Sequence, residues 1–420
     1  MREKQYHIAV IGGGASGLLA AIAAKIEGGA QCRVLILERN ERVGRKILST
    51  GNGRCNLGNT VIQKENYGGS MVEKAFSIFD QAPKTEAYFR QMGLICRQEE
   101  HRLYPYSNHA SAVLDVLRLQ LETLQIDVIC NCQITSITPV KNQFRLQSDM
   151  HSYFAEKVIF SCGGYAAPAL GTDGSAFSML KLLHIHYNTC TPALCFLKTE
   201  PERVRALKGI RLFSQATLYC NGKLLKKERG EVQFTEQALS GICIFNLSAD
   251  CNLEKNNAAF EVVLDLFPDW NLERVRSLLW ELYALRCEFS IEELLTGILQ
   301  KRVYLQILKQ CGISQKHHRL VSSYSVSELE QIAVFLKEWR FPIIGKGDWK
   351  AAQVTCGGIA TEEVFSTLES VKYKGLYFTG EALDLHGDCG GYNLNWAWAS
   401  GWWAGTHAAK EWNQNNDKDQ

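Results

Sequence analysis

No block of one charge stands out in this chain: 46 Lys and Arg face 44 Asp and Glu across 420 residues, for a formal net charge of +2. A basic stripe is what collects nucleic acid or an anionic membrane surface, so neither is an expected partner. No stretch is long and apolar enough to span a bilayer, which takes about 20 residues. The fifteen cysteines are scattered, with no Cys-x-x-Cys pair and no His/Cys cluster at zinc spacing, so no metal site is expected and most thiols should be buried and reduced. No Ser/His/Asp order suggests an independent hydrolytic site. The first apolar run, after Tyr6, is broken by glycines and does not read as a signal peptide, so a cytoplasmic location is expected. What the chain has is 46% apolar residues and nine tryptophans, ample for a large core, and a length that suits two or three domains.

The run Tyr6 to Glu38, YHIAVIGGGASGLLAAIAAKIEGGAQCRVLILE, organises the rest. It reads as a strand, a glycine-rich turn, a helix and a second strand ending on an acid, the order of a dinucleotide-binding βαβ unit and hence an α/β, Rossmann-like class. Gly12 allows the tight turn, Gly14 lets backbone approach a pyrophosphate without an intervening Cβ, and Gly17 lets the helix pack close to the strand. Ala15 and Ser16 open the helix, whose free N–H groups and dipole face the phosphates. Glu38 stands where an acid accepts hydrogen bonds from a ribose; it would repel a 2′-phosphate, so FAD or NAD is expected rather than NADP. Arg39 beside it joins the candidate set.

Glu38 to Asn59 is a loop rich in Gly, Asn and Arg. Arg45 and Lys46 can neutralise phosphate, while Thr50, Gly51, Asn52, Gly53 and Asn56 bring backbone and amide groups near a polar ring. Residues 71–91 and 110–124 have helical spacing, and short strands are expected at 127–132, 134–138, 143–147 and 157–161. Ile134 follows the third parallel strand, where backbone can meet an adenine edge. Gly163 ends a buried strand, and its pairing with Gly164 permits close approach to the dinucleotide; a plain strand end is the alternative.

From residue 190 the texture changes to short strand candidates, including 212–220, 224–228, 231–234, 242–248 and 260–266, with Asn221-Gly222 as a hairpin turn. Residues 272–309 read as two or three helices, and another begins at a Ser327-x-x-Glu330 capping box. The segment Gly375 to Trp412 then returns to the first texture: a buried strand, Gly380 and Glu381, a glycine turn up to Gly391, and a long helix from about Asn393 and Leu394. Two helix N-termini behind glycine turns suit a long, bipartite cofactor, the second facing a flavin ring where charge tunes its electronics. Cys389 and Tyr392 are candidate proton donors should either face that ring, with packing as the alternative.

The motifs GGGASG, GRKILSTGNGRCNLGN, AAQVTCGGIATEEV and GLYFTGEALDLHGDCGGYNLNWAWASG together resemble the bacterial flavoprotein family of NAD(P)/FAD-dependent oxidoreductases, which includes aminoacetone oxidase and 3-dehydro-bile acid delta-4,6-reductase. The resemblance implies a discontinuous FAD-binding domain from residues 1–189 and 346–420, a β-barrel-like insertion over 190–270 and a mainly helical one over 271–345. It implies FAD contacts at Ala15, Ser16, Glu38, Arg45, Lys46, Gly51 to Gly53, the backbone of Ile134, Glu381, Asn393 and Leu394. Many relatives carry Thr-His and Ser-Gly-Pro where this chain has Thr235-Glu236 and Ser240-Gly241-Ile242, and a threonine where it has Cys389, so substrate identity does not carry over.

The expected activity is hydride transfer between bound FAD and a small organic substrate, as an NAD(P)H-linked reductase of an enone-like acceptor. A flavin amine or alcohol oxidase using O2 is the alternative within the class, and an RNA-modifying flavoprotein the one outside it. No second glycine fingerprint marks a nicotinamide site, so NADH or NADPH would act by transient stacking on the flavin. Oligomeric state stays open.

Overall fold

The computed structural model describes residues 5–253, 258–313 and 319–419, with side chains as far as 414. It divides into two compact units, one running to Pro192 and resuming at Ala352, the other spanning Ala193–Ala351.

The first unit is built on a sheet that has seven strands among the described residues. Strand β1 (Gln5–Ile11) leads through helix α1 (Ala15–Gly28) to β2 (Val34–Leu37), β3 (Asp127–Ile129), β4 (Ile134–Val140), β5 (Gln143–Ser148) and β6 (Ser152–Phe160), and β7 (Leu376–Phe378) returns from the far end of the chain. The order is β3-β2-β1-β6-β5-β4, with β7 beside β6. Strands β3, β2, β1, β6 and β7 are parallel, while β6-β5-β4 is an antiparallel meander. All four residues of β2 are buried, as expected of a parallel strand covered on both faces. The nine residues of β6 do two jobs: residues 152–155 pair with β5 and residues 158–160 with β7.

Helix α1 is buried from Ser16 through Ala24 because a second helix, α2 (Tyr392–Asp419), lies against it. A Cβ on Gly401 would sit 2.3 Å from the Ser16 carbonyl oxygen, and one on Gly405 2.2 Å from that of Ala20. Four residues apart, these glycines share one helix face and let the two backbones meet directly. The expected helix over 71–91 is two helices, Val72–Gln81 and Thr85–Gln91, because Pro83 cannot continue the first.

The second unit carries a closed barrel of six strands among the described residues, in the order Leu197–Thr199, Ala238–Ser240, Lys223–Phe234, Arg211–Cys220, Phe260–Asp265 and Trp339–Lys346. Asn221 (φ 50°) and Gly222 (φ 78°) make the hairpin turn read from sequence. The strand candidates 224–228 and 231–234 are one continuous strand. The candidate at 242–248 is instead a helix, Ile242–Asp250. Its buried Ile244, Leu247 and Ser248, with Cys251 just beyond, follow helical rather than alternating spacing. The capping box of helix Val326–Lys337 is Ser325 with Glu328, two residues earlier than Ser327 and Glu330; Glu330 instead pairs with Arg276 at 2.8 Å. Barrel residues such as Val262 and Trp339 and helical ones such as Leu279, Ile307 and Ile332 form one hydrophobic core.

Candidate functional site

The turn from β1 into α1 has the geometry its glycines demand. Gly12 has φ +102°, and a Cβ there would lie 2.4 Å from the Ser161 carbonyl oxygen; a Cβ on Gly17 would lie 1.9 Å from the Gly12 oxygen. Gly14 differs: a Cβ on it would meet nothing within 4 Å. Gly14 is also the N-cap of α1 and supplies no side-chain acceptor, so the first-turn N–H groups beside Ala15 and Ser16 point where an anion can accept from them.

Glu38, at the end of β2, is buried, its exposure 7%. One carboxylate oxygen accepts from the Gly13 N–H at 2.7 Å, the other from the Asn40 N–H at 2.8 Å and the Asn40 amide at 2.5 Å. A carboxylate has about four lone-pair positions, so these bonds hold it against the turn and leave capacity for a hydroxyl. Asn131 and Cys132 donate their N–H groups to the Asn40 and Glu38 carbonyls, both at 2.9 Å, which brings buried Ile134 to the same edge.

The cations divide. Arg39 is held by the Gly171 carbonyl (3.0 Å) and Asp173 (2.8 Å), and Arg45 by Asn40 (3.1 Å) and the Ala169 carbonyl (3.1 Å); both clamp the loop after Gly163, whose φ is +72°. Lys46 lies elsewhere, with its Nζ 2.9 Å from Glu381 Oε2 and 3.4 Å from the Ala166 carbonyl.

The other Glu381 oxygen accepts from both the N–H and the hydroxyl of Thr355, each at 2.9 Å. The Thr355 hydroxyl in turn accepts from the Tyr165 N–H at 2.8 Å and the Ala166 N–H at 3.3 Å. Thr355 thus ties Glu381 to the Gly163–Ala166 turn, a role not read from sequence; its place just before paired glycines was the available signal. Gly380 (φ +63°) sits against the start of α1, where a Cβ would lie 2.6 Å from Ser16 Oγ. Its N–H donates to Ser400 at 2.9 Å and its carbonyl accepts from the Trp396 indole at 3.0 Å.

Thr50 leads into a left-handed turn through Gly51 and Asn52 (both φ 56°) and Gly53 (φ 83°). Facing it across Gly58 and Asn59 is the turn before α2, where Gly391 has φ +96° and a Cβ would lie 2.5 Å from the Gly58 oxygen and 2.7 Å from Asn56 Oδ1. The Asn59 amide donates to the Gly390 carbonyl at 3.1 Å. The Asn393 side chain is spent on this turn, bonding the N–H and the carbonyl of Gly387, both at 2.8 Å, so its backbone, with that of half-buried Leu394, is what the helix start offers. Tyr392 packs edge-on against Tyr67, ring centroids 5.7 Å apart, and Cys389 is half-buried in the turn.

The donor set suits a long dinucleotide: an open glycine turn at a helix start, a buried acid 25 residues along from Gly13, a lysine and acid midway, and a second helix start. Among the described residues no group of three or more His, Cys, Asp or Glu could hold a metal. Cys55 is fully buried and burial pushes its thiol up to about 12, and burial raises that of Cys162 further, so neither is held as a thiolate. Among the described residues no helix is long and apolar enough to cross a membrane.

Residues 6–407 match the model of the HI0933-like protein Rossmann domain. The chain is 34% identical over 411 residues to a 3-dehydro-bile acid delta(4,6)-reductase of Clostridium scindens, covering 96% of this chain and 99% of that one. It is 26% identical over 406 residues to a ribosomal RNA dihydrouridine synthase of Escherichia coli, covering 95% and 97%. A solved 3-ketosteroid delta1-dehydrogenase from Sterolibacterium denitrificans shares the fold, with a TM-score of 0.50 at 10% identity over 97% of this chain and 100% of that one. With an RNA-directed relative in the set, charge balance alone does not decide whether nucleic acid is a partner. The chain belongs to the HI0933-like family and is an FAD-dependent oxidoreductase of Rossmann-like fold.

Proposed function

We propose that this chain passes a hydride between bound FAD and a small organic acceptor whose C=C bond is conjugated to a carbonyl, drawing its electrons from NADH or NADPH. The observation that carries this reading is the end-to-end match, at 34% identity, to a reductase whose name specifies such ring double bonds. FAD supplies the hydride-carrying ring. The chain's own residues bind and orient: the Gly12–Gly17 turn and the start of α1 take the pyrophosphate, Glu38 a ribose, with the backbone at Ile134 near the adenine. Lys46 and Glu381 sit where the linker between the two halves would pass. The turns at Gly51–Gly53 and Gly390–Gly391 would hold the ring end, and the dipole of α2 would favour negative charge there.

Anaerobic addition of NADPH or NADH to the yellow protein, followed by a conjugated steroid ketone, tests this. Bleaching by the nucleotide and recovery of colour on adding the ketone are expected. A flavin that neither nucleotide bleaches, but aminoacetone does, would replace the reductase with an oxidase using O2.

A second reading rests on the relatives named for ribosomal RNA, 26% and 25% identical over most of the chain. Uracil carries a C=C bond conjugated to a carbonyl, so the same hydride chemistry would serve. Recovery of colour with unmodified ribosomal RNA, and not with the ketone, selects it.

A further inference from the structure

The turn at Gly51–Gly53 runs into a small sheet, one face of which collects positive charge. In it Gly58–Asn59 pairs with Arg102–Pro105, and Arg102–Pro105 with Cys96–Glu99. The register sets Arg97 opposite Tyr104 and Glu99 opposite Arg102, and residues two apart on a strand share a face, so these side chains lie together. Arg54 joins them from the turn. Its N–H donates to the Gly51 carbonyl at 3.2 Å. Its guanidinium lies over the Tyr104 ring, 4.1 Å from the centroid, and donates to Asn108 and to Glu99, each at 2.6 Å. Arg97 donates to that same Glu99 oxygen at 2.5 Å. The Arg102 side chain has no hydrogen bond or ion pair among the described residues, and Glu100, in the turn between the two strands, makes no ion pair among them either.

Three guanidiniums on this face therefore share one carboxylate. Side-chain exposures of 34% for Arg54 and 39% for Arg97 put them within reach of a solute, and Arg102 is half-buried. Like charges gathered on a fixed frame attract an anion. A guanidinium already held by a ring and two acceptors, as Arg54 is, loses little freedom when it takes a carboxylate or phosphate. The face also touches both turns assigned to the ring end. Arg54 follows Gly53 directly, and Asn59, which pairs with Arg102 across the ladder, bonds the Gly390 carbonyl at 3.1 Å. This inference rests on the reading of the chain as a reductase of a conjugated carbonyl acceptor. We propose that Arg54, Arg97 and Arg102 form an anion site for that acceptor, which carries a carboxylate or phosphate group apart from the double bond that is reduced.

The test follows reoxidation of the reduced flavin by four conjugated steroid ketones: one with a side-chain carboxylate, its methyl ester, one with a phosphate ester, and the corresponding free alcohol. In one of the two pairs the KM of the anion is expected to lie about tenfold or more below that of its neutral partner, with kcat little changed. Which pair shows it tells carboxylate from phosphate. The advantage should shrink as NaCl is raised. Arg102→Gln breaks no side-chain bond of the folded protein and should remove most of the advantage, while Arg102→Lys, which keeps the charge, should retain more of it. Equal KM within both pairs, or an advantage that Arg102→Gln leaves intact, would overturn the site while the neutral ketones still supported the reductase reading. A reduced flavin that none of the four reoxidises would overturn that reading, and this inference with it.

Discussion

Lys46 and Glu381, 335 residues apart in sequence, meet at 2.9 Å. Both are mostly buried, with side-chain exposures of 29% and 20%. The pair joins the loop that follows the nucleotide-binding unit to the segment that precedes α2, and Thr355 locks the free side of the carboxylate.

Removing the lysine charge leaves Glu381 in a partly dry site with only Thr355 as donor. Lys46→Met is expected to cost about 1–3 kcal/mol of stability and to weaken FAD binding. Thermal unfolding of the apoprotein and of the FAD-loaded protein checks both; unchanged melting in the two forms would sever the link between this pair and the site.

The glycines of the first turn should separate binding from folding. Gly14→Ala places its methyl in open space, so the apoprotein should melt as wild type does while FAD affinity falls at least tenfold. Gly17→Ala drives a methyl into the Gly12 carbonyl and should cost about 1–3 kcal/mol as an overpacked core does. A Gly14→Ala protein that binds FAD normally would move the pyrophosphate elsewhere.

Acid should loosen the first strand. His7 Nδ1 accepts the Arg33 N–H at 3.0 Å, and its ring stacks on Trp412 with centroids 4.4 Å apart. Burial, then the charges of Arg33 and Lys25, hold its pKa below the usual 6.5. The unfolded chain therefore takes up the proton first. The stability from neutral His7 is complete above pH 6.5 and is lost as the pH falls from there toward the folded value. The melting temperature should drop more between pH 7.5 and 5.5 in wild type than in His7→Asn, which keeps an acceptor that does not titrate.

Thiol labelling offers a check on the loop. Cys55 is fully buried with its thiol pushed up to about 12, and the thiolate is the reactive form. Iodoacetamide at pH 7.5 should leave it unmodified in the folded protein and modify it once the chain is unfolded, as read by mass spectrometry of the peptide. Rapid labelling of the native protein would mean that the Gly51–Asn56 turn opens.

The βαβ unit was legible because its evidence is local: strand, glycines, helix and acid follow each other within 33 residues, and each has a steric or electrostatic reason to be there. The barrel hairpin at Asn221-Gly222 was legible on the same grounds. The helix at Ile242–Asp250 was misread because short apolar runs satisfy both periods, and the outcome was set by which residues the barrel buries. The Ser325 capping box competed with an equally good pattern two residues later. Thr355 was beyond sequence reasoning as to role: it acts by bridging separate segments, and that property is not written in neighbouring residues. Nor does any local rule announce that Lys46 faces Glu381 or that Arg39 and Arg45 turn toward the loop after Gly163.

The contact of Gly401 and Gly405 with the Ser16 and Ala20 carbonyls bears on the order of events during synthesis. Helix α1 is covered by a helix translated hundreds of residues later. Until α2 emerges, the face of α1 that it buries, and the second of the two turns that would hold the cofactor, have no counterpart. A cofactor that needs both turns would therefore be loaded only after α2 has been made. A chain interrupted before Gly401 would present the nucleotide-binding turn without its cover, with the apolar face of α1 exposed.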